Sequence, residues 1–275
     1  MLDSLLAIIA VLLYGLATVL VALYLLSVKD SNRDLESGKV AASFVTASIA
    51  AACHIAYALK ISFIGEALNV SLSSMIVLIS GVLVMLFLLG GLMMPIRRLG
   101  ILVFPLTIIS LIFAFFWGNN ITLLENRSLA FSSHIIVSLL AYCLLAIASI
   151  QALLYSYQER QIKHRTNPAM LLALPPLQTM ELLLFRLVGF GFAVLSLTLV
   201  SGVIFSQEIF GHAFVFKHHT ILALLGWLVF AILLFKRVKH GLRGSIAVIW
   251  TISGFLLIQL GYFGTKIVSE ILSLQ

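Results

Sequence analysis

Residues 72–117 read LSSMIVLISGVLVMLFLLGGLMMPIRRLGILVFPLTIISLIFAFFW, two long apolar runs separated only by a short turn that carries a proline and two adjacent arginines. The runs at 72–94 and 99–117 each match the roughly 20 residues an α-helix needs to cross the hydrocarbon of a bilayer. Pro95 breaks the helix, and Arg97 and Arg98 mark a tight turn at a membrane surface. Working outward from this pair, six more runs of the same kind fall at 4–27, 40–59, 129–156, 187–206, 219–235 and 245–268. The composition agrees: 62% of the 275 residues are hydrophobic and 10% are charged, against about 45–50% and 25% in soluble domains. That excess needs lipid as its solvent, where only helices and closed barrels satisfy their backbone polar groups. A barrel would show alternating segments of about 10 residues, which are absent here. The predicted fold is an all-α polytopic transmembrane bundle of about eight spans. No internal repeat, low-complexity tract or linker is visible, so residues 1–275 are expected to form a single transmembrane domain.

The basic residues give an orientation. Connections one, three, five and seven, with the adjoining span ends, hold Lys29, Arg33, Lys39, Arg97, Arg98, Arg160, Lys163, Arg165, Arg186, Lys236, Arg237, Lys239 and Arg243. The other side holds Lys60, Arg127, Lys217 and Lys266. The positive-inside rule therefore puts both termini outside the cytoplasm, which in a bacterium is the periplasm. A net charge of +7 reads as this topological bias rather than as a nucleic-acid footprint. The first run is too long for a signal-peptide core and lacks a basic leader, so it is expected to stay as a span. Cys53 and Cys143 both lie inside apolar runs and read as buried structural thiols, since no CxxC pair exists. The segment Asn167 to Leu184, with Pro175-Pro176, lies in the largest cytoplasmic connection and is expected to form an interfacial helix.

The acidic residues all fall in connections or at span ends. A proton- or sodium-coupled carrier needs an ionisable group near the bilayer midplane, and no carboxylate serves. Walker, HExxH and GxSxG patterns are also missing, so no catalytic residue is assigned. Histidine remains. His164 and His240 lie in cytoplasmic connections beside other cations and read as solvated. His54 lies in the outer half of span two, His134 in the outer half of span five, and His212, His218 and His219 lie in or beside the sixth connection. An imidazole in hydrocarbon must bond a neighbour or a ligand. The two readings are a helix-to-helix hydrogen bond to a Ser, Thr or carbonyl, and axial ligation of haem iron by the neutral ring. Tyr142, roughly 80° round the helix from His134, is expected either to line the same pocket or to pack in the core. Gly90-Gly91 and the Gly189-Phe190-Gly191-Phe192 run are expected to allow close helix approach.

Span five, Phe131-Ser-Ser-His134 through Ser138 to Tyr142, resembles the corresponding span of the cytochrome c assembly family. So do Pro175-Pro176-Leu177, Met180-Glu181, Phe185-Arg186, and Gly189 to Thr198, Gly202 and Phe205. The last spans add Gly226-Trp227-Leu228-Val229-Phe230, Gly241-Leu242-Arg243-Gly244 and Gly261-Tyr262-Phe263-Gly264, and Cys53-His54 is similar to the short YpjD-type members. The family includes the CcsA haem-handling proteins and the shorter HemX-type and YpjD-type members. The resemblance implies b-type haem bound by histidines and a part in c-type cytochrome maturation. His134 falls where larger members carry a periplasmic haem histidine, and His54 falls near a transmembrane one. Two departures set this chain apart. Ser206 to His218 lacks the tryptophan-rich haem-presenting segment, and Gly264 to Gln275 has no histidine. Phe235 stands where a second transmembrane histidine would fall.

These readings lead to a haem-binding or haem-handling protein of a bacterial inner membrane without complete haem-lyase activity. The haem iron would be held by His54 and His134, with His218 or His219 able to complete an axial pair and Tyr142 beside them. Its partners are expected to be the lipid bilayer and proteins of cytochrome c maturation or tetrapyrrole synthesis, with no nucleic acid. The alternative is a non-catalytic scaffold or regulator that never holds haem.

Overall fold

The computed structural model describes residues 2–27, 33–65, 67–94, 96–117, 121–124, 128–164, 174–206, 218–264 and 267. Eight helices among them are long and apolar enough to cross a membrane. They are α1 (Leu2–Ser27), α2 (Arg33–Ser62), α3 (Leu72–Met93), α4 (Gly100–Trp117), α5 (Leu129–His164), α6 (Leu177–Ile204), α7 (His218–His240) and α8 (Gly244–Gln259). A 3-10 turn at Arg97–Leu99 precedes α4, and a π-helical turn at Leu260–Gly264 extends α8.

The chain forms two compact units. The first comprises residues 1–123 and 157–180, and the second comprises 124–156 and 181–275. In the first unit α1 packs on α2, α2 on α3, α3 on α4 and α4 on α1, closing a four-helix ring. Lipid is as apolar as leucine, so association here rests on close packing and interhelical hydrogen bonds. The sequence of α2 supplies both. Ala47, Ala50 and Ala58 are fully buried, and the Ser43 hydroxyl donates to the Ala17 carbonyl of α1 at 2.8 Å. On α1 the buried stripe Ala10, Tyr14, Ala17, Val21 alternates at helical spacing with exposed Leu5, Ile8, Leu12, Leu16 and Val19. Both faces are apolar, so hydropathy alone does not say which turns inward. At the centre Tyr14 stacks on Phe104 with ring centroids 6.0 Å apart, and Phe87 meets Phe104 edge-on at 5.6 Å.

The two ends of this unit close differently. At one end Arg97 donates through Nε to the Gly91 carbonyl at 2.8 Å and lies 4.8 Å over the Phe44 ring. Arg98 donates to the Tyr24 hydroxyl at 2.8 Å. Guanidinium groups at a helix C-terminus meet its unpaired carbonyls and its negative dipole end. At the other end three short strands, β1 (Phe63–Ile64), β2 (Ala67–Asn69) and β3 (Leu123–Leu124), form a small sheet in that order. Phe63 pairs with Leu68 and Ile64 with Ala67, antiparallel, around a turn at Gly65 with φ +63°. Buried Asn69 joins the cap, giving Nδ2–H to the Ile61 carbonyl and accepting from the Ser71 and Thr122 amides.

The second unit holds α5 as far as residue 156, α6 from residue 181, and all of α7 and α8. Leu145 of α5 meets Gly191 of α6, and His134, eleven residues earlier, meets Gly202, eleven residues later. That is the register of an antiparallel pair. Glu181 pairs with Arg237, and Ser196 accepts from Trp227, so α6 and α7 are antiparallel as well. Helix α7 packs on α8 along its length.

Two features differ from the sequence-based expectation. The strand cap was not foreseen, because strands of two or three residues carry no periodicity. The stretch from Leu177 to Leu184 is no separate interfacial helix, because it forms the first turns of α6. Its Glu181 is held to Arg237, which anchors it to the span; residues 167–173 of that expectation lie outside the described residues.

Candidate functional site

His134 sits near the start of α5, half-buried, in the second unit. Its Nδ1 lies 2.9 Å from the Ser201 hydroxyl oxygen on α6. The Ser201 hydroxyl oxygen also lies 2.9 Å from the Thr198 carbonyl. With its one proton given to that carbonyl, the oxygen accepts from the ring, and in that arrangement Nδ1 carries the proton and Nε2 the lone pair. The next residue, Gly202, has no side chain where a Cβ would come within 3.2 Å of the His134 Cε1. The antiparallel register puts Ser201 and Gly202 at the depth of His134, and one turn on, Ser138 donates to the His134 carbonyl.

His54 is placed quite differently, in the first unit and fully buried. Its Nε2 lies 3.1 Å from the Val77 carbonyl of α3, which can only accept, so Nε2 bears the proton. The Tyr14 hydroxyl of α1 stands 3.4 Å from Nδ1, and the Ser80 hydroxyl stands 3.4 Å from Nε2. Both ring nitrogens are thus engaged, and one imidazole ties three helices together. Gly81 of α3 leaves space beside the ring, where a Cβ would lie 3.6 Å from Cδ2 and Nε2.

The rest of the expected set separates. Tyr142 turns to α8, where its hydroxyl donates to the Gln259 side-chain carbonyl and its ring packs among Phe255, Tyr262 and Phe263. His134 and Tyr142 thus reach different neighbouring helices. His219 opens α7, half-buried, and its backbone packs against Gly261. The antiparallel run of α6 and α7 brings it to the end of the unit that carries Ser201. The His218 side chain and all of His212 lie outside the described residues. His164 and His240 are exposed, and Cys143 is buried and outside any disulfide. Among the described residues no group of three or more His, Cys, Asp or Glu side chains is arranged for a bare metal ion.

Sequence reasoning missed Tyr14, Ser201 and Gln259 as partners. Each left one trace, a hydrogen-bonding side chain inside an otherwise apolar span. As one axial ligand of a haem, His134 fits: its lone pair is on Nε2 and the opposite N–H is anchored, as a ligating imidazole requires. His54 does not fit in this arrangement, since ligation would need it to leave a buried partner.

Comparison with known proteins supplies the family. The model of the cytochrome C assembly protein family matches residues 42–273. The inner membrane protein YpjD of Escherichia coli K12 is 31% identical over 172 residues, 62% of this chain and 64% of that protein. The cytochrome c biogenesis protein CcsA of Chlamydomonas reinhardtii is 28% identical over 141 residues, 50% of this chain and 38% of that protein. In both cases the chain spans less than two thirds of the relative's length. No solved structure matches the chain. With its eight candidate spans and a match across most of its length, this chain belongs to the cytochrome c assembly protein family as a multi-pass inner-membrane protein similar to YpjD.

Proposed function

We propose that this chain binds or handles haem in the membrane through His134, without complete haem-lyase activity. The observation that carries the reading is the relay from the Thr198 carbonyl through the Ser201 hydroxyl to His134 Nδ1. It supports the tautomer that leaves Nε2 as a donor of electrons. A ligating histidine in a metal site is held in the same way, by an outer partner on its second nitrogen. The half-buried position, with Gly202 clearing room at Cε1, leaves the ring approachable, while His54 is sealed. Membership of a cytochrome c assembly family supports haem as the group, and bound haem would supply an iron centre whose potential the axial ligand tunes.

On this reading His54 is a structural tie outside the ligand set, and the second axial position falls to His218 or His219. The missing tryptophan-rich segment removes the means of presenting haem to an apocytochrome, so the chain holds or passes haem for partners in cytochrome c maturation or tetrapyrrole synthesis.

The test is spectroscopic. With haem supplied during expression, the purified wild type and His54→Ala should show a Soret band per folded protein, and His134→Ala should lose it. A band no stronger than a haem-free control, or one unchanged in His134→Ala, overturns the reading and leaves a scaffold that never holds haem.

A further inference from the structure

The turn between α7 and α8 concentrates positive charge beyond what its one acidic partner balances. Lys236, Arg237, Lys239, His240 and Arg243 fall within eight residues. Among the described residues Glu181 is the one carboxylate paired with them. It is taken by Arg237 at 2.5 Å, and Arg243 lies 3.9 Å away with its side chain 72% exposed. Arg237 is further fixed by donating to the Leu242 carbonyl at 3.0 Å and by lying 4.4 Å from the Phe185 ring centroid. Lys239 is exposed with no carboxylate paired to it among the described residues, and Arg243 shares the single charge of Glu181 with Arg237, so the turn keeps an excess of positive charge.

The turn that presents them is preorganised. Gly241 and Gly244 have φ of +62° and +69°, a conformation that suits glycine. The Gly241 and Leu242 amides donate back to the Arg237 and Lys236 carbonyls. Immediately beside the cations the surface is apolar and open, with Val238 88% exposed, and Phe235, Ile246 and Ile249 also exposed. The Lys239 ammonium lies 5.4 Å over Phe235 and the Lys236 ammonium 4.8 Å over Trp250. Amphipathic stems and rings of this kind bridge hydrocarbon and headgroup levels. Cations at one level with open aliphatic side chains just below match one molecule that carries both, an acidic phospholipid.

We propose that the α7–α8 turn seats the phosphate of an anionic phospholipid on Lys239 and Arg243, with its acyl chains along Phe235, Val238 and Ile249. This site does not depend on haem and stands or falls separately from His134.

Trp250 reports on the site directly. In full-length chain carrying Trp117→Phe and Trp227→Phe, Trp250 is the sole tryptophan. It is reconstituted in vesicles with a minor share of bromine-labelled phosphatidylglycerol or, in parallel, bromine-labelled phosphatidylcholine. Quenching should favour the anionic lipid by about fivefold in apparent affinity for each cation. The preference should fall towards unity in Lys239→Gln/Arg243→Gln, and should shrink in high salt on the unsubstituted turn. Equal quenching by the two lipids overturns the proposal, as does a preference that survives the double substitution. Relief of quenching by millimolar inorganic phosphate would assign the cations to free phosphate and overturn the lipid.

Discussion

A serine hydroxyl has one proton, and at Ser201 the Thr198 carbonyl takes it; the chemistry of His134 follows from that small fact. Removing the hydroxyl should free the ring to rotate and to exchange tautomers. Ser201→Ala is expected to weaken haem binding by about 10–100-fold, in line with losses of outer partners at metal sites, and Ser201→Thr should largely restore it. Haem titration followed at the Soret band measures this, and an unchanged affinity in the alanine variant would remove Ser201 from the site. His54 should behave in the opposite sense. Its imidazole holds Val77 and meets Tyr14, so His54→Ala is expected to cost on the order of 1–2 kcal/mol of stability. A thermal midpoint in detergent equal to wild type would contradict that. Both histidines were legible in the sequence because a polar ring in an apolar run demands a partner. The partners were not legible, because sequence gives depth along a span but not the direction a side chain faces. One demand was met by a carbonyl in a closed core and the other by a serine that leaves a nitrogen free.

At the scale of helices, glycine shows how far a pattern can be read. The run Gly189-Phe190-Gly191-Phe192 suggested close approach, and the structure separates its two glycines. A Cβ on Gly191 would meet Leu145 at 2.6 Å, whereas Gly189 faces open space. Gly226 on α7 is tighter in kind, because a Cβ there would lie 3.1 Å from the Gly254 backbone carbonyl as well as 2.8 Å from Ile258. A side chain can swing aside, but a carbonyl within α8 moves only with its helix. Gly226→Val should therefore destabilise the second unit by about 1–3 kcal/mol, the usual cost of overpacking, while Gly189→Ala should be close to neutral. Thermal unfolding of the two variants compares them, and equal shifts would refute the packing assigned to α7 and α8. The number and order of the spans were legible because length and hydropathy alone define them. Helix ends beyond the apolar runs were not: α2 starts at Arg33, α5 runs on to His164 and α6 starts at Leu177, and an apolar stretch with a proline pair upstream reads equally well as an interfacial helix. The ion pair between Glu181 and Arg237 decided it, and a pair that far apart in sequence leaves no local mark.

For the whole molecule the remaining question is which way the spans run, and the distribution of charge gives an expectation. Within the first unit the arginine turn at 97–98 and the strand cap lie at opposite ends of the helices. Within the second, the Glu181–Arg237 pair lies at the end opposite His134 and Ser201. Counted along the sequence, 13 of the 17 basic residues belong to connections one, three, five and seven with their span ends, and 4 to the rest. Moving that excess across an energised membrane opposes both the potential and the insertion machinery's preference. Both termini are therefore expected outside the cytoplasm, and with them the end of α5 that carries His134. A phosphatase active only in the periplasm, fused after Gln275, should be active, and a fluorescent protein that matures only in the cytoplasm should stay dark there. Each reporter inserted after Arg98 should behave oppositely. A bright C-terminal fusion would invert the topology and put His134 at the cytoplasmic surface. Haem would then have to be taken up from the side where it is made, and release to a periplasmic acceptor would need a second site on the far face.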